Sequence, residues 1–322
     1  GLVGSEMCIR DSIYSTQVES YHPFRLYMNE LPAWDGTDRL KPLAKRISDI
    51  PLWIKSFHTW MLGLAAQWLG VTQTQANSVA PILISEEQGR HKSTFCRMLM
   101  PPQLARYYSD NLKLTAQGNP ERLLAEMGLL NMDEFDKFGA QKMPLLKNLM
   151  QMSSLNICKA YQKNFRSLPR IASFIGTSNR TDLLCDPTGS RRFICIEAEH
   201  DIDCTGIEHS QIYAQLKEEL LAGARHWFNK EEEHALQCHN MAYYHVNPIE
   251  DIVRNTYAPA TLNESDCLSL SAAIIHQELK KRFPAALRSC TPIQLAQIFT
   301  ATGISRQHTR LGNVYLVKRV KD

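Results

Sequence analysis

The stretch ILISEEQGRHKSTF, Ile82 to Phe95, decides how the rest of the chain is read. An apolar run leads into a polar turn, and Lys92-Ser93-Thr94 then opens a segment with helical spacing. That is the layout of a phosphate-binding loop. In such a loop backbone N–H groups, a lysine and the following hydroxyl converge on an anion and its magnesium ion. The usual pattern is G-x-x-x-x-G-K-[ST], and counting back from Lys92 puts His91 and Glu86 where its glycines belong. Glycine serves there because a side chain would crowd the phosphate or because φ is positive. Glu86 and Glu87 also bring negative charge towards a polyphosphate, while Gly89 keeps one flexible point. Alone, the stretch reads either as a nucleotide site or as an ordinary strand–turn–helix. On the first reading Gln88, Gly89, Arg90, His91, Lys92, Ser93 and Thr94 surround the anion.

Three later stretches bear on the choice. In LLNMDEFDKF an apolar run delivers Asp133 and Glu134, 41 residues after Lys92. A strand that ends so can present one carboxylate to a metal and a second to an attacking water. In FIGTSN a strand ends in small hydroxylated residues and Asn179, which could hold that water. In DPTGSRRF, Arg191 and Arg192 follow a glycine turn, and arginine stabilises charge on a transferring phosphoryl group. Each has a bland alternative: a chance acidic pair, a strand-ending turn, a solvated basic turn. Their order and their common position at the carboxyl ends of expected strands favour one shared site.

Length and composition allow this and limit the rest. The chain has 322 residues, 44% apolar and 21% charged, which suits two domains or three with small extras. Residues from about 23 to 75 read as helices. Short apolar runs at 81–85, 128–135, 170–179 and 191–199 then alternate with helix-like stretches, which predicts a mostly parallel sheet covered on both faces. Residues 209 to about 256 read as helical, as do 268–283 and 292–301, and NVYLVKRV (313–320) alternates like a strand. Helices ending in a strand fit a small winged-helix shape. The longest apolar stretch, Trp60 to Val71, is too short to span a bilayer and reads as a buried helix. Nine cysteines without C-x-x-C predict reduced thiols and a cytoplasmic protein. His234, Cys238 and His239 offer half of a zinc site at most. The opening GLVGSEMCIRDS resembles translated adaptor sequence. Residues 1–12 are therefore set aside, with the expectation that the natural protein continues upstream.

The ordered segments PFRLYMNELPAWDGTDRL, ILISEEQGRHKSTFCRML, LLNMDEFD, SFIGTSN and DPTGSRRF together resemble the virulence-associated protein E family, over roughly residues 23 to 256. These are P-loop ATPases related to superfamily 3 helicases, carried by phages and mobile elements and often found with a primase module. Trp34-Asp35-Gly36 with Arg39-Leu40 matches the family's WDG..RL motif, though Trp34 also reads as a core anchor. The tail from about 265 resembles a domain of unknown function attached to Bacteroidetes members.

The resemblance implies an α/β, AAA+/superfamily 3 helicase-like core with a helical N-terminal region and a winged-helix-like C-terminal domain. The expected boundaries are 13–75, 76–205, 206–258 and 259–322. It implies that Lys92 binds the β/γ-phosphates of ATP and that Ser93 and Asp133 hold Mg²⁺. Glu134 completes the acidic pair, Asn179 senses the γ-phosphate, and Arg191 or Arg192 acts across a subunit boundary of a homo-oligomeric ring. The family usually has glycine at the positions of Glu86 and His91. Glu86 is therefore expected to point outward, and His91 to offer an N–H.

Nucleic acid has two expected sites. CKAYQKNFRSLPR interleaves Lys159, Lys163, Arg166 and Arg170 with Tyr161 and Phe165, cations for phosphates and aromatics for bases. In superfamily 3 relatives this segment carries a DNA-gripping hairpin; the alternative is a solvated basic turn. Residues 280–322 hold nine Lys or Arg against Asp322, and a winged helix would set Arg306 and Arg310 on DNA. The reading is an ATP-driven DNA helicase or translocase that acts with a primase in mobile-element replication. The rival is a non-hydrolysing DNA-binding scaffold, and a small-molecule phosphotransferase lacks an acceptor lid.

Overall fold

In the computed structural model the apolar runs after residue 79 form a five-stranded, all-parallel sheet. The structure describes residues 21–71, 75–115, 118–139, 141–158, 165–184, 187–244, 248–262, 264–288, 290–309 and 312–320. Its strands are β1 (Ala80–Ile84), β2 (Tyr108–Ser109), β3 (Leu129–Met132), an antiparallel pair β4 (Ser154–Cys158) and β5 (Phe165–Pro169), then β6 (Ser173–Ser178) and β7 (Phe193–Glu197). The sheet runs β2-β3-β6-β1-β7. The chain leaves β1, crosses to the far edge, and returns strand by strand before β7 closes the other side. The order therefore reverses at β1, and the crevice beyond the carboxyl ends of β1 and β6 is where an α/β sheet places its ligand.

Strand alternation builds a core on each face. Leu83, Leu129, Ile175, Ile194 and Ile196 point to one side. There they meet α1 (Pro23–Asn29), α2 (Leu40–Lys45), α3 (Pro51–Leu69), α4 (Lys92–Met98) and, further along the chain, the helix at His209–Leu221. Ile82, Ile84, Leu130, Met132, Phe174 and Phe193 point to the other, against α5 (Pro120–Glu126) and α6 (Met143–Gln151). The helix at His209–Leu221 is α7, and α8 (Lys230–His239) follows it.

Helix α3 carries the apolar stretch read as buried. Pro51 sits in its first turn, where no N–H is needed, and Gly70 ends it in the left-handed conformation at φ +78°. Trp53, Trp60 and Trp68 are fully buried, and each indole N–H finds a carbonyl: Ala44, Phe174 and Gly128 respectively. Among the described residues no helix is long and apolar enough to cross a membrane.

Compact units divide at Tyr244/His245, earlier than the 258/259 boundary expected from sequence. The reason is α9 (Pro248–Thr256): its Val253 packs with Tyr257, Ile275, Leu279, Leu295 and Phe299 in a third, separate core. The second unit contains β8 (Tyr257–Pro259), β9 (Leu268–Ser271), α10 (Ala272–Arg282), α11 (Pro292–Ala301), β10 (Arg306–Thr309) and β11 (Gly312–Arg319). Strands β8, β9 and β10 all pair antiparallel to β11. Helix, two strands, two helices and a hairpin is the order of a winged helix with one strand added. Residues 268–271, expected as the start of a helix, are strand β9 instead; LSLS alternates with period two, and Ser271 caps α10 with its side chain on Ile274 N–H.

Candidate functional site

The three central strands end beside one another, and each delivers a polar residue to the same place. Lys92 follows β1 by way of the loop, Asp133 and Glu134 follow β3, and Asn179 follows β6. With Gln88, Gly89, Arg90, His91, Ser93, Thr94 and Thr177 they line one cleft of about 440 Å³. Every residue assigned to the phosphate loop and its acidic pair is therefore brought together.

The loop shows which glycines its shape needs. Gly89 (φ +89°) and His91 (φ +59°) are left-handed; among the described residues Glu86 is not. The first motif glycine is thus dispensable in this conformation, and the exposed Glu86 side chain costs the loop nothing sterically. His91 does carry strain. The left-handed region costs a non-glycine residue about 1–2 kcal/mol, though histidine tolerates it better than branched residues. Arg90 braces the turn with an ion pair to Glu87 at 2.7 Å and a hydrogen bond to the Ala198 carbonyl at 3.0 Å.

Lys92 is buried. Its ammonium donates to the Ser85 carbonyl (3.2 Å), the Glu87 carbonyl (3.4 Å) and Asn179 Oδ1 (3.0 Å). Burial, and then the Arg90 charge, pulls its pKa below the usual lysine value. Ser93 Oγ donates to Asp133 Oδ1 at 2.9 Å, and Thr177 Oγ1 donates to the same oxygen at 2.5 Å. Thr177 was not singled out in the sequence; its signal was the hydroxyl-rich GTSN ending of β6. Ser93 and Asp133 offer hard oxygen donors side by side, a donor set that suits Mg²⁺ better than a soft metal. Among the described residues no group of three or more His, Cys, Asp or Glu could hold a metal ion, so His234, Cys238 and His239 form no such cluster. His239 instead bonds the Cys195 carbonyl.

Glu134 is left-handed at φ +52°, and its carboxylate is paired with Lys137 Nζ at 2.6 Å. Lys137 was also missed, because an i,i+3 lysine one turn from an acidic residue is a common surface pattern.

Arg191 and Arg192 lie elsewhere. Strand β7 runs parallel to β1, with Phe193 opposite Ala80 and Glu197 opposite Ile84. Both arginines precede Phe193, so they sit at the amino end of the sheet, roughly 15 Å of strand away from the cleft. Arg191 pairs with Glu233 on α8 at 3.1 Å. Neither arginine can serve the cleft of its own subunit.

The nucleic-acid expectations divide. Arg170 is corrected: it is 1% exposed and cannot touch DNA. Its guanidinium donates to the carbonyls of Ala172, Leu149, Met150, Met152 and Asn77, tying α6 to the segments that precede β1 and β6. A basic residue in a basic stretch looks solvated until the fold shows how many carbonyls converge on it. Lys159, Tyr161, Lys163 and Arg310 lie outside the described residues, as does the Arg166 side chain; the Arg166 backbone belongs to β5. Arg306 is exposed on β10.

The WDG..RL segment proves to be a clasp. Arg39 grips both oxygens of Asp35 at 2.7 Å and Glu208 at 3.0 Å, and Gly36 turns left-handed at φ +81° between them. Asp35 and Arg39 backbone N–H groups then bond Gln211 and Gln215 of α7. Trp34 is only half-buried and bonds the Thr37 carbonyl, so it anchors the turn rather than the core.

A family profile described as virulence-associated protein E-like domain matches residues 28–245. A second, described as a domain of unknown function from B. Theta (DUF3874), matches residues 246–317. No curated protein matches the chain. Among solved structures, the apo structure of the NrS-1 C-terminal region (305–718) is 15% identical, over 91% of this chain and 78% of that one, with a TM-score of 0.45. An A form of the same region aligns over the same shares with a TM-score of 0.42.

Proposed function

The chain belongs to the virulence-associated protein E-like domain family, and on that premise we propose that it binds ATP with Mg²⁺ in the cleft and hydrolyses it to move along DNA in the replication of a phage or mobile element. One observation carries the reading: Lys92, Ser93, Asp133, Glu134 and Asn179 share a single cleft at a strand-order reversal. Lys92 neutralises phosphate charge, exchanging its carbonyl and Asn179 contacts for phosphate oxygens. Ser93 and Asp133 hold the metal, which supplies charge stabilisation to the phosphates when bound. Glu134 orients the attacking water and takes its proton, and Asn179 positions that water or the γ-phosphate. Arg191 or Arg192 reaches the cleft of a neighbouring subunit, which makes a ring the working form, and a primase module is the expected partner.

A second reading, a DNA-binding scaffold that does not turn over ATP, is favoured by one observation: Glu134 is neutralised by Lys137. ATPase assays with and without single-stranded DNA, beside Lys92→Ala and Glu134→Gln, separate the two. The motor reading expects DNA-stimulated turnover, abolished by Lys92→Ala. Glu134→Gln should keep ATP binding and lose turnover. Absence of turnover, with no rise in melting temperature on adding ATP, sinks it.

A further inference from the structure

The second unit is rich in cations, and among its described residues three of the eight are tied to carboxylates. Arg254 is paired with Glu250, Lys318 with Glu264 and Arg319 with Glu278. Among the described residues of this unit, Lys280, Lys281, Arg282, Arg288 and Arg306 have no carboxylate partner, and all five are exposed. Four of the five follow one another along the chain at the C-terminal end of α10. Lys280, Lys281 and Arg282 form the last turn of α10, and Arg288 sits on the turn just beyond. That turn folds back along the helix, because His276 of α10 bonds the Cys290 carbonyl at 2.8 Å.

Helix α11 holds the place of a recognition helix, the second of the pair. Its sequence, PIQLAQIFTA, has no charged residue. Ile293 is its most exposed large side chain at 75%, and the Gln294 side chain is committed to the capping box with Thr291. Such a surface offers phosphates no cation, and Gln297 is the one exposed amide on it outside the capping box.

We propose that the second unit binds duplex DNA by its phosphate backbone, through Lys280, Lys281, Arg282 and Arg288 at the C-terminal end of α10, with α11 turned to no base. The contacts are charge to phosphate, so binding ignores sequence. A duplex is favoured over a single strand because stacking requires exposed aromatics, and among the described residues of this unit the exposed large apolar ones are Leu262, Leu268, Ile274, Ile293 and Val320, all aliphatic. Binding at this site does not depend on ATP turnover.

The test is fluorescence anisotropy of the full chain on two unrelated 20-base-pair duplexes, titrated with salt and without nucleotide. The variants are K280Q/K281Q/R282Q/R288Q, its charge-preserving K280R/K281R counterpart, and Arg306→Gln. The proposal expects equal affinity for both duplexes and a loss of about tenfold or more in the quadruple variant. Its salt slope should flatten by about 0.9 for each phosphate contact removed. The charge-preserving variant should bind like wild type and Arg306→Gln should change little. Melting curves read the fold of each variant, so a folded quadruple variant with unchanged affinity overturns the proposal. So does a larger loss with Arg306→Gln, or a preference for a single strand of equal length or for phosphatidylserine vesicles over duplex that the quadruple variant abolishes.

Discussion

The Glu134–Lys137 pair sets the resting state of the cleft. Both groups are about half exposed or more, so the pair is worth only about 0.2–1 kcal/mol. Even so, it places a cation on the carboxylate assigned to the water. Lys137→Ala should raise turnover without DNA by up to about fivefold, which is what 1 kcal/mol yields, and shrink the stimulation by DNA. Equal basal rates in wild type and variant would show that the pair breaks at no cost before catalysis. Lys137 is read through Glu134, so its effect belongs in the rate at saturating ATP and not in the ATP affinity.

At the scale of elements, two buried or half-buried charges hold the first unit together. Arg170 ties α6 to two strand-leading segments through five carbonyls. Arg170→Leu should cost on the order of 3–5 kcal/mol, read as a shift in urea midpoint, because those acceptors are left unpaired in the core. The folded fraction should still bind DNA, which a phosphate-contacting arginine would not allow.

Glu232 is the second. It closes the capping box of α8 with Asn229, pairs with Arg225 at 2.5 Å and meets Lys55 at 2.9 Å. The Arg225 contact leads in holding its carboxyl down, from an ordinary 4.5 to about 2. A depressed carboxylate stabilises the fold above its unfolded value and loses that contribution as pH falls through the folded one. Wild type should therefore shed about 2 kcal/mol, discounted for screening, between pH 4.5 and 2. Glu232→Gln, less stable at pH 7, should lose less over the same window; parallel melting curves would remove the assignment.

For the whole molecule, three cores divide between two units. All five tryptophans, at 34, 53, 60, 68 and 227, belong to the first. Phe299 is fully buried in the third core, so Phe299→Ala should cost the second unit about 3–5 kcal/mol. The loss should appear in calorimetry or far-ultraviolet dichroism while the tryptophan fluorescence melt stays in place. A fluorescence melt that shifts equally would mean that the two units unfold as one.

Much of this was legible along the chain. The short continuous apolar runs announced β1, β3, β6 and β7, since each is buried on both faces. The candidate cleft was legible because its members follow strand ends directly, and strand ends in a parallel sheet are neighbours by construction. Contacts across the fold were not. Arg170 reads as a surface cation until five carbonyls from distant segments surround it, and Thr177, Lys137 and the clasp at Asp35–Arg39 depend on partners that spacing does not specify. His91 and Glu86 show the division most sharply. The sequence by itself determined that two motif glycines are replaced. Only the tertiary structure decided that one position needs a left-handed residue and the other does not, because φ follows from how the loop is braced by Arg90, Ala198 and the strands beneath it.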